Sequence, residues 1–186
     1  MDIYYYDDDT MGLHPLTSHP LYRKYFTSPF YYSNTERSVP FGSDEGSDAL
    51  WEMEEVLRRR PKADLRDFPA HVLRKLHSLA YYPPHGESIE ELRRIDAAAS
   101  AEAHPSLKEL RSTDRMIIAS ALAQLKITGS LSEQLYQLAL LAIARLERIR
   151  GLGQNVWLTS SMLMTIQRDL KLYRSSLSPA QQAVGA

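Results

Sequence analysis

Leu138-Ala139-Leu140-Leu141-Ala142-Ile143-Ala144, held between Gln137 and Arg145, is the most apolar run in this chain of 186 residues. A bilayer span needs about 20 such residues, so the run is too short to cross one and reads as the middle of a core helix extending from Leu135 to Ile149. Ser130 and Glu133 precede it at the spacing of a capping box, in which the serine and the glutamate each satisfy a free amide of the first turn. Gly151 and Gly153 close it with a turn.

The same grammar repeats on both sides. Downstream, Val156, Thr159, Leu163, Ile166, Leu170, Tyr173 and Leu177 alternate spacings of three and four before Pro179. That is a heptad seam, suited to packing within the bundle or to oligomerisation. Upstream, Ser106 and Glu109 form a capping box ahead of Leu110, Ile117, Ile118, Ala121, Leu122 and Leu125, and Gly129 stands where a helix C-terminus wants a left-handed residue. Arg111-Ser112-Thr113-Asp114 are poor helix formers in a row and predict a kink there. Ser88 and Glu91 cap a helix whose face is Ile89, Leu92, Ile95 and Ala99. A helix starting near Asp67 or Pro69 is expected to run through Leu79 and end at Tyr81-Tyr82-Pro83-Pro84. Another, capped by Ser47, carries Leu50, Trp51, Met53, Val56 and Leu57 and stops at Pro61. Its closing Arg58-Arg59-Arg60 complement the helix dipole.

Before Gly42 the pattern changes. Ten of the fifteen tyrosines and phenylalanines lie there, without helical or strand periodicity, among His14-Pro15-Leu16 and its echo His19-Pro20-Leu21. Proline favours extended backbone, so the stretch reads as an open strip bearing aromatic pegs. Exposed rings are costly in water, which makes such a strip a docking element, either on its own bundle or on another molecule. Gly42-Ser43-Asp44-Glu45-Gly46 reads as the hinge. The expected organisation is an arm over 1–46, a helical bundle over 47–178 and a flexible tail over 179–186. Because the helices carry their own caps, the bundle is expected to form without the arm.

Composition bounds the function. The formal net charge is −1, with 44% hydrophobic and 24% charged residues, ordinary for a soluble domain. Through Gly46 there are seven acids and three bases, leaving sixteen and nineteen beyond, too small an excess to favour a phosphate backbone. The acidic start, Tyr4-Tyr5-Tyr6-Asp7-Asp8-Asp9, does not look like a secretory or mitochondrial leader, and with no cysteine the chain has no disulfide or thiolate chemistry. The expected location is cytoplasmic.

No reaction-bearing motif emerges. The histidines, His14, His19, His71, His77, His85 and His104, are not paired at metal-ligand spacing, and Glu54-Glu55 and Glu90-Glu91 diverge by about 100° on a helix. No metal or cofactor is expected. The reading that follows is an all-α protein, a bundle of about six amphipathic helices behind an extended aromatic and proline-rich arm. Its expected role is non-enzymatic: docking to a protein partner, a filament or cytoskeletal assembly, or a second copy. The candidate docking residues are Tyr22, Arg23, Tyr25, Phe26, Phe30, Tyr31 and Tyr32, with Tyr4, Tyr5 and Tyr6 as candidate phosphorylation sites. The alternatives are an enzyme or small-ligand bundle whose site forms only in three dimensions, recognisable by a pocket of convergent His, Arg and Glu side chains, and a transcriptional or nucleic-acid-associated regulator.

Overall fold

The computed structural model describes residues 4–98 and 105–177. Among them are seven helices: α1 (Pro20–Tyr25), α2 (Asp44–Arg59), α3 (Phe68–His77), α4 (Ile89–Ala97), α5 (Leu107–Thr128), α6 (Glu133–Gly151) and α7 (Ser160–Ser175). Two single 3-10 turns, Pro15–Thr17 and Pro29–Tyr32, flank α1. The described residues contain no β-strand beyond one isolated bridge between Asp8 and Gly12. The fold is thus the all-α bundle that the periodicity predicts, led by an aromatic N-terminal segment. The predicted tail, together with Ala99 and His104, lies outside the described residues.

Several boundaries follow from the expected caps. Ser88 with Glu91 and Ser106 with Glu109 form reciprocal capping boxes at the starts of α4 and α5. Gly129 ends α5 at φ 68°, where a Cβ would be strained and would also fall 2.2 Å or less from the His19 ring. Elsewhere the caps move. The α2 cap is Ser43, which accepts from the Gly46 amide, so the helix starts ahead of Ser47. The α6 cap is Ser132 instead of Ser130, because Ser130 exchanges bonds with Thr128 while Glu133 pairs with Arg174. At Ser78 the backbone turns left-handed, φ 52°, and α3 stops short of Tyr81.

The expected kink is absent, and α5 runs unbroken for 22 residues. Ser112, Thr113 and Asp114 do not break the helix because each finds a distant partner: the Glu45 carboxylate, the Tyr82 amide and the Arg145 guanidinium respectively. The same helix is the buried axis, packed by α2 and α6 and also by α1, α3 and α4. The apolar α6 is more peripheral: Leu146 is fully buried, but Leu138 and Leu141 are only half-buried. The α7 seam is satisfied within the chain, with Val156, Leu163, Ile166, Leu170 and Tyr173 buried against the rest of the bundle.

The N-terminal segment docks on its own bundle, one of its two expected destinations. Tyr22, Phe26, Tyr31 and Phe41 have no exposure and belong to the same apolar cluster as α2, α5, α6 and α7. Tyr22 stacks on Phe26 at 4.7 Å, and Tyr31 meets both edge-on. Rings of this size stabilise a core by roughly 1.5–3 kcal/mol each when fully buried. Nor is 42–46 an open hinge. A Cβ at Gly42 would stand 1.8 Å from the Glu36 carbonyl oxygen, and one at Gly46 would stand 2.0 Å from that of Pro40. These glycines serve close backbone approach, and the core runs through the position where the sequence suggested a division.

Candidate functional site

Three clusters of buried charged side chains are anchored on α5. At its start, Glu45 from the first turn of α2 accepts from the Ser112 hydroxyl at 2.7 Å and from Arg115 at 2.9 Å. Between Ser112 and Arg115, Asp114, without solvent contact, accepts from Arg145 Nη2 at 2.7 Å and Nε at 2.9 Å. The same guanidinium donates to Glu87 Oε1 at 2.6 Å and to the Tyr82 carbonyl at 2.8 Å. The exposed His85 stands 3.4 Å from that Glu87 oxygen. In the last turn of α5, Lys126 Nζ lies 2.6 Å from Asp7 and 2.8 Å from Glu54.

Two carboxylates on one guanidinium leave the central cluster with a surplus negative charge. Burial pushes the Asp114 carboxyl up to about 7, against the pull of Arg145 and with help from the nearby Glu87. Burial acts in the same direction on Glu87, but there its backbone bonds and Arg145 outweigh it and hold the carboxyl below the ordinary range. Arg145 itself is held above its usual value, the two acids overriding its burial. Every donor of Arg145 that the cluster uses is directed to another part of the chain, so its function is to fix the 82–87 segment against α5 and α6. Among the described residues no group of three or more histidine, aspartate or glutamate side chains is placed to hold a metal ion, and no helix is long and apolar enough to cross a membrane.

The sequence-predicted docking residues scatter. Tyr22, Phe26 and Tyr31 are buried, Tyr31 also donating to the buried Asp169 at 2.9 Å, so in this fold their side chains have no surface to offer a partner. Tyr25, Phe30 and Tyr32 are half-buried: Tyr25 lies edge-on to Tyr173, Phe30 lies against Tyr31, and Tyr32 donates to the Phe26 carbonyl. Arg23 is half-buried in the last turn of α1. Of the proposed phosphorylation sites, Tyr4 donates to the Pro61 carbonyl, Tyr5 lies edge-on to His19, and Tyr6 lies under the Arg58 guanidinium at 4.2 Å.

The surface feature that sequence reasoning missed lies between α2 and α3. A cleft of about 220 Å³ has Trp51 and Val56 as its apolar wall and Arg59, Arg60 and Lys75 as its cationic side, with His71 beside them. Trp51 is 58% exposed. The two acids of the cleft are already engaged, Glu55 with Arg59 at 2.8 Å and Glu52 with Lys75 at 2.6 Å. Arg60 has no ion-pair partner among the described residues. Trp51 was grouped with the other apolar residues of its helix, but its spacing held the signal: Leu50, Met53 and Leu57 form the buried stripe at i, i+3 and i+7, and Trp51 lies about 100° off Leu50.

Among curated proteins the chain is similar to the uncharacterized protein YfeS of Escherichia coli strain K12, at 35% identity over 148 residues. The alignment takes in 78% of this chain but 57% of YfeS, so the chain spans little more than half the length of that relative. No protein-family model matches the chain, and no solved structure matches it significantly.

Proposed function

We propose that this chain is a non-enzymatic protein-interaction bundle whose docking point is the Trp51 cleft, with the N-terminal aromatic segment serving the fold. The observation that carries this reading is the exposure of Trp51 beside Val56 and a rim on which Arg60 has spare cationic charge. An indole in water exposes a large apolar area, and tryptophan is among the residues that contribute most when buried at an interface. The rim adds selection: with Glu52 and Glu55 already engaged, Arg60 favours a partner segment that brings a carboxylate.

Site-specific photocrosslinking tests it. A photoreactive residue at position 51 of the full chain, expressed in its own cells, should give discrete protein adducts, and one at position 25 or 30 should not. Adducts from 25 or 30 alone would return docking to the aromatic arm. One observation supports a second reading, a small-ligand site: the cleft brings together a histidine, arginines and glutamates. In that case position 51 gives no protein adduct, while small carboxylates or phosphates raise the melting temperature of the wild type and not of an Arg60→Ala, His71→Ala variant.

A further inference from the structure

Trp157, between α6 and α7, holds a backbone conformation that a bulky residue rarely adopts, φ 67°. The Leu158 amide donates to the Val156 carbonyl at 2.8 Å, closing a three-residue turn around the tryptophan, whose own amide donates to the Asn155 side chain at 2.9 Å. The turn is fixed from both sides. Val156 and Leu158 are buried, Arg111 donates to the Asn155 carbonyl, and Arg150 donates to that of Leu158. Strain of this kind persists only where the surroundings hold it, and it concentrates at ligand-binding sites. Here it leaves the indole 42% exposed, with the Arg37 guanidinium 5.9 Å from the ring centre.

Beside this pair lies a pocket of about 10 Å³, room for one water-sized group. Arg37, Ser43 and Arg115 line it over an apolar base that includes Ile118 and Leu158, and its described lining contains no carboxylate. The buried Nε of Arg115 has no acceptor, and the Ser43 hydroxyl, which accepts from the Gly46 amide, donates to no group among the described residues. Glu45 already balances Arg115 at 2.9 Å, whereas Arg37 has no acidic partner among the described residues.

We propose that this pocket binds a monocarboxylate carried on a flat apolar body. Three donors without an acceptor select an oxyanion. One unbalanced cation and space for one oxygen suit a carboxylate better than a phosphate ester, which brings up to two charges and three oxygens. The indole at the mouth gives an aromatic body a ring to pack on. The site is independent of the Trp51 cleft.

Benzoate, and a triglycyl-phenylalanine peptide with a free C-terminus, are titrated into the full chain and followed by the indole N–H resonances. The chain has two tryptophans, so Trp51→Phe assigns both signals. At least one probe should shift the Trp157 signal, and benzamide should not. Tighter binding of benzoate assigns the site to a free acid, and tighter binding of the peptide to a chain terminus. Arg37→Ala, at an exposed position, should weaken binding at least tenfold, and Arg60→Ala should leave it unchanged. Trp157→Gly, which accepts the turn's φ, should also weaken binding as measured by calorimetry. Circular dichroism verifies that the variants fold. The proposal is overturned if neither probe shifts Trp157, if Arg37→Ala binds as the wild type does, or if phenyl phosphate binds more tightly than benzoate. A shift confined to Trp51 and lost in Arg60→Ala also overturns it, by placing the carboxylate in the other cleft.

Discussion

Asp7, close to the start of the chain, lies 2.6 Å from the ammonium of Lys126, which has no exposure to solvent in the last turn of α5. The contact belongs to a seam. The Tyr5 amide donates to the Ile127 carbonyl, the His19 amide donates to the Lys126 carbonyl, and Glu54 brings a second carboxylate to the ammonium from α2. One buried cation therefore joins the N-terminal segment, α2 and α5.

Removing that cation leaves two acids facing each other in a poorly hydrated site. Lys126→Ala should destabilise the fold by about 2–4 kcal/mol, toward the lower part of the range for broken buried pairs because Asp7 retains some exposure. Urea unfolding measures it. A shift below about 0.5 kcal/mol would show that the cluster is hydrated and weakly coupled.

A chain starting at Ser47 loses the α2 cap Ser43, the anchor Glu45 and four fully buried aromatic rings. It should lack a cooperative thermal transition and show reduced helical ellipticity. Retention of the full helical signal with a sharp transition would mean that the bundle closes without its N-terminal segment, as the helix caps alone suggest.

Two glycines make a matched comparison. Gly46→Ala brings a Cβ to 2.0 Å from a backbone oxygen, a clash that side-chain rotation cannot relieve, and should cost several kcal/mol, on the order of a severe overpacking substitution. Gly151→Ala, at the end of α6 with nothing within 4 Å, should be neutral or stabilising by up to about 1 kcal/mol. Equal melting temperatures for the two variants would contradict the tight turn at 42–46.

The cluster around Arg145 predicts opposing pH dependences. Glu87 is held below its ordinary value, so its contribution is present above about 4.5 and is lost as the pH falls below that. Asp114 is raised, so its contribution is greatest below its ordinary 3.8 and declines as the pH rises through about 7. Glu87→Gln should flatten the acid limb of a stability–pH profile, and Asp114→Asn the limb toward neutrality. Unchanged limbs in both variants would dismiss the cluster as a source of pH dependence.

Features with local causes were legible in the sequence. Ser88 with Glu91, Ser106 with Glu109 and Gly129 act within one helical turn of themselves, and the structure places them as read. Ser112, Thr113 and Asp114 were misread as a helix break because their partners lie 67, 31 and 31 residues away. Only the fold brings those charges together. The aromatic segment was correctly singled out as needing cover, but its destination depends on α5 and α7, which nothing local specifies. Trp51 fell between these cases, since its outward placement was implied by the stripe beside it, while the cationic rim needed α3 alongside α2.

The bond from Tyr31 to Asp169 joins residues 138 apart in sequence. At a ribosomal pace of about 5–20 residues per second, that separation corresponds to roughly 7–28 s between the synthesis of the two ends. Through that interval Tyr22, Phe26 and Tyr31 exist as nascent chain without the helix that will enclose them. An exposed cluster of rings is what holdase chaperones bind and what drives self-association, so that interval is the period of greatest vulnerability for this protein. Synonymous codon changes that slow elongation between α1 and α7 should therefore lower its soluble yield while leaving the finished molecule unaltered.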